Sequence, residues 1–427
     1  MHFEPSLDRL MEFCCMSMLL AMSSRMHEIS GLMYKSLAVE DCLIMSTYKA
    51  LIVEAQDKPM VLKDLPVPTV TTGSVLVSPL YSLLPPHAGW LYQNPASDRY
   101  FFVYPFTPGI SAVARVEEVP SDATSLKKGD IVWVDSTILG RDDRDAAMLV
   151  ALHGGTSDGS RKLMRDTWRH GHWAEKALMP LEIVYKIPEA LYTSIEDGGK
   201  GFKVRDFAMS YYPMLALGGL SDANVGPGST VIVLPSTGKF SGGGVLVALG
   251  LGAKVIAAGR NEEGLKKLYQ FPGAKERLTT VKLVSDAERD AAALKQAAGG
   301  KGADVFLDYS PSVASGPDIQ SNITAGIKAL RRGGQLVLLG APTADVSVNY
   351  FTTVLNNITV KGKFMYEREH IERYFKLLEQ GHLKTGTEVG MNDRGNVGLE
   401  DWAEGFNETQ KWKSWGDDMV IAPNGEL

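Results

Sequence analysis

The sequence predicts an α/β protein in which a parallel sheet follows a β-rich half. Two observations carry this. From about residue 205, short apolar runs recur between turns: "VIVL" (231–234), "KVIAA" (254–258), "ADVFLD" (303–308) and "QLVLLG" (335–340). Helix-like segments separate them at 242–251, 261–270, 286–298 and 321–331. Apolar runs alternating with helices at this spacing read as βαβ units and a parallel sheet. Before residue 205 the text is β instead. "YKALIVEA", "SVLVSPLY", "ISAVARVEEV" and "DIVWVD" are β-branched and apolar, divided by "LPVPTVTTG" and by the turn "LKKGD".

The remaining elements follow in order. The first 44 residues are rich in methionine and contain Cys14, Cys15 and Cys42. Their apolar stretch "FCCMSMLLAM" is too short to span a bilayer. Glu4, Asp8 and Glu12 stand where a signal peptide needs positive charge. The segment reads as an extension ahead of a body that begins at Met45. Residues 136–172 are polar and irregular, an inserted loop or lobe, and "WAEKALMP" and "EIVYKIP" return to short strands. Near the end, Ile371, Tyr374, Phe375 and Leu378 recur at helical spacing on one face.

Composition narrows the function classes. A chain of 427 residues suits two or three domains, and 44% apolar residues support large cores. A net charge of −6 leaves no basic excess for a nucleic acid or an anionic membrane. No cysteine follows Cys42, so the body holds neither a disulfide nor a thiolate metal site, and we expect a cytoplasmic protein.

The stretch "STGKFSGGG" (236–244) directly follows the run ending at Leu234 and opens a helix. Such a turn collects an anion, because first-turn N–H groups lack partners and the helix dipole is positive there. Ser236, Thr237 and Gly238 form the turn, and Ser241 either caps the helix or meets a phosphate. Gly242, Gly243 and Gly244 open the helix at a propensity cost of about 1 kcal/mol each against alanine. Close backbone approach, to a phosphate or to the sheet, explains them better than helix stability. The next run ends in Gly259 and Arg260, 22 residues past Gly238. An acidic residue at that place serves the ribose of NAD; an arginine suits the 2′-phosphate of NADP. Glu262 and Glu263 nearby keep NAD open.

Taken in order, "PVPTVTTGSVLV", "LKKGDIVWV", "VIVLPSTGKFSGGGVLVALGLGAKVIAAGRN", "GKGADVFLDYS" and "LRRGGQLVLLGAPT" resemble the medium-chain dehydrogenase/reductase superfamily over about residues 47 to 425. The resemblance implies a Rossmann-type parallel-sheet domain inserted in a β-rich GroES-like catalytic domain. The implied boundaries are 45–190 for the first part of the catalytic domain, 191–362 for the NADP-binding domain and 363–427 for the return. It also implies an active site in the cleft between them and a homodimer. Zinc-dependent members carry a cysteine after the "VLV" strand and a Gly-His-Glu segment. Here the first region reads "SVLVSPLYSLLPPHAGW", and Ile110 and Ser111 follow Gly109. His87, His153, His170 and His172 remain as nitrogen donors but form no zinc signature. The resemblance is therefore to the zinc-independent quinone oxidoreductases and enoyl reductases. Pro235 and Ser241 depart from it where glycine is usual.

What the resemblance implies for the site is a donor on Tyr81 or His87, in the segment facing the cofactor. The residues alone also allow packing for Tyr81 and a solvent-facing turn for His87. Trp90, Tyr92 and the run "YFFVYPF" (100–106) read either as pocket lining or as core. Gly340 and Ala341, at the end of the last parallel run, are implied to lie against the nicotinamide. The expected activity is hydride transfer from NADP(H) to an activated C=C, quinone or carbonyl of a small or medium molecule. A metal-free alcohol-type dehydrogenase and a nucleotide-binding protein without catalysis are the alternatives.

Overall fold

The computed structural model describes residues 46–93 and 100–425; the extension 1–44 lies outside them. Six strands form one all-parallel sheet, numbered here by their residues. Thr230–Leu234 is central, flanked on one side by Lys254–Gly259 and then Leu278–Lys282. On the other side follow Ala303–Asp308, Leu330–Leu338 and Thr359–Gly362. In chain order this is 3-2-1-4-5-6, the doubly wound order whose reversal point beside the first strand opens a crevice at the strand ends. All four apolar runs of the second half lie in this sheet. Val231, Val233, Val255, Ala257, Val305 and Leu307 are buried on one face and Ile232, Leu234, Ile256 and Phe306 on the other, as a two-faced parallel sheet requires.

A seven-stranded mixed sheet forms the β-rich part. Its long strand Ser74–Leu83 pairs antiparallel with Ala112–Glu118, which pairs with Ile131–Val134. The C-terminal strand Asp417–Ile421 pairs with the other edge of Ser74–Leu83 at Val420 and Ile421. The end of the chain thus completes the sheet that its beginning starts, which is the GroES-like arrangement around an inserted Rossmann sheet. One apolar cluster runs through both parts, from Leu83, Ile110 and Val113 to Val233, Val247 and Leu307.

Residues 136–172 are more ordered than their polarity suggests. They hold a hairpin, Thr137–Leu139 with Ala147–Leu149, and a helix, Asp158–Asp166. Ser157 caps that helix, its hydroxyl accepting from the Ser160 N–H at 3.1 Å. Ile138 and Met148 are buried beneath the polar exterior. The helix Arg368–Glu379 buries Ile371, Tyr374, Phe375 and Leu378, the face its periodicity marks.

Candidate active site

The glycine-rich turn leaves the first parallel strand at Leu234 and reaches the helix Lys239–Gly250 through Ser236, Thr237 and Gly238. Ser236 is fully buried, and both its N–H and its hydroxyl donate to the Ala258 carbonyl, at 2.9 and 3.0 Å. It pins the turn to the neighbouring strand. The Ser241 hydroxyl accepts from the Gly238 N–H at 3.0 Å and returns a bond to the Gly238 carbonyl at 3.3 Å. The Gly242 N–H is held by the same carbonyl at 2.7 Å. The polar groups of Ser236 and Gly242 are thus engaged within the protein. Thr237, Gly238 and Phe240 stay partly exposed. The Phe240 N–H finds no acceptor among the described residues, while the Lys239 N–H faces the Lys413 carbonyl across the bridge between Gly238 and Ser414. That is the positive end expected to face a phosphate.

The three glycines are a packing device. A Cβ on Gly242 would sit 2.7 Å from the Trp415 indole, and one on Gly243 would sit 2.9 Å from the Tyr212 and Pro213 backbone. On Gly244 it would meet the Tyr309 ring at 2.9 Å. Of the two causes open at the outset, close approach to protein is the one seen. The C-terminal segment clasps this turn. Ser414 bridges Gly238, Trp415 N–H donates to the Thr237 carbonyl at 3.1 Å, and the buried Lys239 ammonium donates to the Asp417 carbonyl. Burial, opposed by Asp418 and Asp417, lowers the Lys239 pKa to about 8.

Arg260 stands at the tip of the second parallel strand with 69% of its side chain exposed. Its one ion-pair partner among the described residues, Asp318, is 3.8 Å away. The nearby acids are occupied: Glu262 pairs with Lys282 and Glu263 with Lys266, each at 2.8 Å. Gly259 lies buried beneath the Thr237 methyl group, 3.5 Å from where a Cβ would be. At the other end of the crevice, Gly340 and Ala341 are exposed, and the Ala341 N–H donates to the Ser310 carbonyl at 3.1 Å. Asp308 organises this turn by accepting from the Ser310 hydroxyl at 2.7 Å, and burial pushes its carboxyl up to about 6.

The two catalytic candidates separate. Tyr81 is 6% exposed and belongs to the core shared by the two sheets. His87 is exposed at the start of the helix Ala88–Gln93, and its ring has no hydrogen-bond partner among the described residues. Desolvation holds the ring pKa below the ordinary imidazole value. In the aromatic run only Phe106 is fully buried; residues 100–104 are half-buried against the core, where Phe102 stacks on Phe106 at 5.0 Å, and Tyr92 meets Trp173 edge-on at 5.5 Å.

One constellation was not readable in the sequence. Asp135, 2% exposed at the end of the strand Ile131–Val134, accepts from the Tyr366 hydroxyl and the Ser136 N–H, both at 2.7 Å. Burial pushes its carboxyl up to about 6 against the pull of those hydrogen bonds. The Ser136 hydroxyl donates to the Tyr211 oxygen at 3.3 Å. The Tyr211 ring meets Phe240 of the nucleotide turn at 6.0 Å, edge-on. Asp135 and Tyr366 are 231 positions apart, and no local pattern links them.

The donors present were tested against a zinc ion. Where zinc-dependent relatives of the family resembled above place thiolate and imidazole, this chain has no cysteine in residues 74–90 and has the buried Ile110 and Ser111 after Gly109. This set does not fit zinc, which needs three or four N, S or carboxylate ligands. Among the described residues, Asp222, Glu367 and His370 do cluster. Lys361 lies 2.6 Å from Asp222, and Lys363 lies 2.6 Å from Glu367 and 3.5 Å from Asp222. Ammonium groups already supply the positive charge there.

Comparison with known proteins agrees with this architecture. A family model described as "Zinc-binding dehydrogenase" matches residues 243–380, and one described as "Alcohol dehydrogenase GroES-like domain" matches residues 89–189. An alcohol dehydrogenase of Geobacillus stearothermophilus is 27% identical over 355 residues, covering 80% of this chain and 92% of that one. The quinone oxidoreductase of Homo sapiens is 24% identical, covering 65% of this chain and 68% of its own. Among solved structures, a Sinorhizobium meliloti 1021 protein assigned to the zinc-binding dehydrogenases and bound to NADP superimposes with a TM-score of 0.68. It is 17% identical, and the match covers 88% of this chain and all of that one. The two-sheet fold, the glycine-rich turn at the strand-order reversal and these matches lead to one conclusion: the chain is an oxidoreductase of the medium-chain dehydrogenase/reductase superfamily.

Proposed function

We propose that the protein is an NADP(H)-dependent oxidoreductase that works without zinc and reduces an activated C=C, a quinone or a carbonyl of a small or medium organic molecule. The observation that carries the cofactor choice is Arg260, exposed at the strand tip and weakly held, with both neighbouring acids paired elsewhere. A guanidinium there can give two parallel hydrogen bonds to a 2′-phosphate. Thr237, Gly238 and the Phe240 N–H would hold the pyrophosphate, and Gly340 and Ala341 would lie at the nicotinamide end. The bound cofactor supplies a hydride; the protein must polarise the acceptor through its own donors, since its residues do not fit zinc. The NADP-bound neighbour and the quinone oxidoreductase relatives support this reading.

Arg260→Ala should weaken NADPH binding about 10- to 100-fold, the loss of a charged hydrogen bond, and leave NADH within about twofold. Fluorescence titration of both nucleotides measures this; equal losses overturn the phosphate assignment. NADPH oxidation on a panel of enones, quinones and ketones tests the acceptor class. Oxidation of alcohols in place of that activity would favour the metal-free alcohol-type reading, which the Geobacillus relative supports. Tight NADPH binding with no turnover would favour a binding protein.

We also propose a homodimer. Tyr350 and Phe351 are 84% and 72% exposed, and Val354, Leu355, Val360 and Phe364 are exposed beside the edge strand Thr359–Gly362. A bare apolar strand edge of this kind is a pairing surface. Light scattering should give the dimer mass for the native chain and half of it for Phe351→Glu/Val354→Glu; a native monomer overturns the proposal. The cysteine-free body fits a reducing compartment, the cytoplasm.

A further inference from the structure

We propose that Tyr211 delivers the proton of the reduction and that Ser136, anchored through Asp135 and Tyr366, positions it; this rests on the reductase reading above. The argument begins with a hydrogen-bond inventory. A tyrosine hydroxyl has one hydrogen and can also accept. The Tyr211 oxygen accepts from the Ser136 hydroxyl at 3.3 Å. Its own hydrogen has no acceptor among the described residues, although the side chain is 2% exposed. A buried donor left unused is destabilising unless it serves something absent from the folded chain alone.

The place of Tyr211 says what that something is. It begins the helix Tyr211–Asp222, the entry into the parallel-sheet domain, and its ring abuts Phe240 in the first turn of the nucleotide helix. Ser136 lies two residues past the strand Ile131–Val134 of the other sheet, and Tyr366 lies on the return from the parallel sheet. Catalytic sheet, cofactor turn and return segment therefore converge on one hydroxyl. Tyr366 and the Ser136 N–H share one Asp135 oxygen, which fixes the Ser136 backbone beneath its own hydroxyl.

The step balances simply. When hydride adds to a carbonyl carbon, the C=O π pair moves onto oxygen; when it adds to the far carbon of a conjugated C=C, that π pair becomes a new C=C to the carbonyl carbon and the C=O pair moves onto oxygen. The Tyr211 O–H bond breaks and the proton goes to that oxygen, giving the alcohol or hydroquinone directly, or an enol that tautomerises to the saturated ketone in solvent. The phenolate left on Tyr211 is held by the Ser136 donor and regains a proton from water as product leaves.

The test compares native enzyme, Tyr211→Phe, Ser136→Ala and Ser136→Thr, with cyclohex-2-enone, 1,4-benzoquinone and acetophenone as acceptors. Tyr211→Phe should lower kcat about 100-fold or more, the usual contribution of a positioned acid. NADPH affinity, read separately by fluorescence titration, should stay within about twofold, as should the thermal midpoint-derived folded fraction at assay temperature. Ser136→Ala should lower kcat about tenfold with KM nearly unchanged, and Ser136→Thr should restore it. Turnover in the native enzyme with kcat of Tyr211→Phe kept above about a third overturns the Tyr211 assignment alone. If Tyr211→Phe fails to fold, the Ser136 pair decides: loss in alanine without rescue by threonine rejects the positioning role. No turnover of any acceptor by the native enzyme rejects both this proposal and the reductase reading.

Discussion

Arg205→Ala is expected to destabilise the protein by about 3–5 kcal/mol, the effect of breaking a buried ion pair from one side. Arg205 lies in the turn Val204–Ser210 that leads into the parallel-sheet domain. Its guanidinium, 7% exposed, reaches Asp418 and Asp393 at 2.9 Å, the Asn396 side chain at 2.9 Å and the Gly395 carbonyl at 3.1 Å. One side chain thus ties the domain entry to both C-terminal strands. Asp418 is itself buried, and burial already raises its pKa although Arg205 and Lys239 pull it down. With Arg205 gone, that carboxylate is left with little compensation. Removing both charges is the control: Arg205→Met/Asp418→Leu should lose less than Arg205→Ala, because no buried charge is stranded. Urea unfolding of the three proteins measures the difference. A loss under about 1 kcal/mol for Arg205→Ala would show that solvent reaches Asp418 and that the pair is not a buried one.

Gly243→Ala is expected to destabilise by about 1–3 kcal/mol, the usual range for overpacking. Propensity alone predicts the opposite sign, since alanine in a helix gains up to about 1 kcal/mol over glycine. Packing wins because the new methyl meets backbone, the Tyr212 carbonyl and the Pro213 nitrogen at 2.9 Å. Backbone cannot rotate away as a side-chain tip can. The helix must move from the Tyr211–Asp222 helix, and the nucleotide turn moves with it. Thermal unfolding with and without NADPH checks both consequences: a lower midpoint, and a smaller rise on adding nucleotide. A midpoint at or above the native one would show that propensity governs the site.

These two residues also show what was legible before the structure. The parallel sheet was, because each strand is a buried apolar run whose neighbours are set by chain order and by the right-handed crossover. The place of Arg260 was legible for a similar reason: it stands at the end of a strand, which sequence locates. The glycines were only half legible. Three in succession announced close approach, but the approaching groups, Trp415, Tyr212 and Tyr309, come from elsewhere in the chain. At Ser236 and Gly242 a local pattern does not say which hydroxyls and N–H groups folding will consume. The lobe at 136–172 looked irregular because its hairpin buries only a few side chains among many polar ones. Asp135, Ser136, Tyr211 and Tyr366 were invisible, since each is an ordinary residue until tertiary structure makes them neighbours.

The clasp of Ser414, Trp415 and Asp417 on the nucleotide turn bears on the order in which the molecule is made. Synthesis delivers the turn some 170 residues before it delivers the clasp. A chain still attached to the ribosome can close its parallel sheet, yet it has nothing to lay over Gly242 or to receive the Lys239 ammonium. The clasped form of this turn is therefore completed only once the strand Asp417–Ile421 has been made.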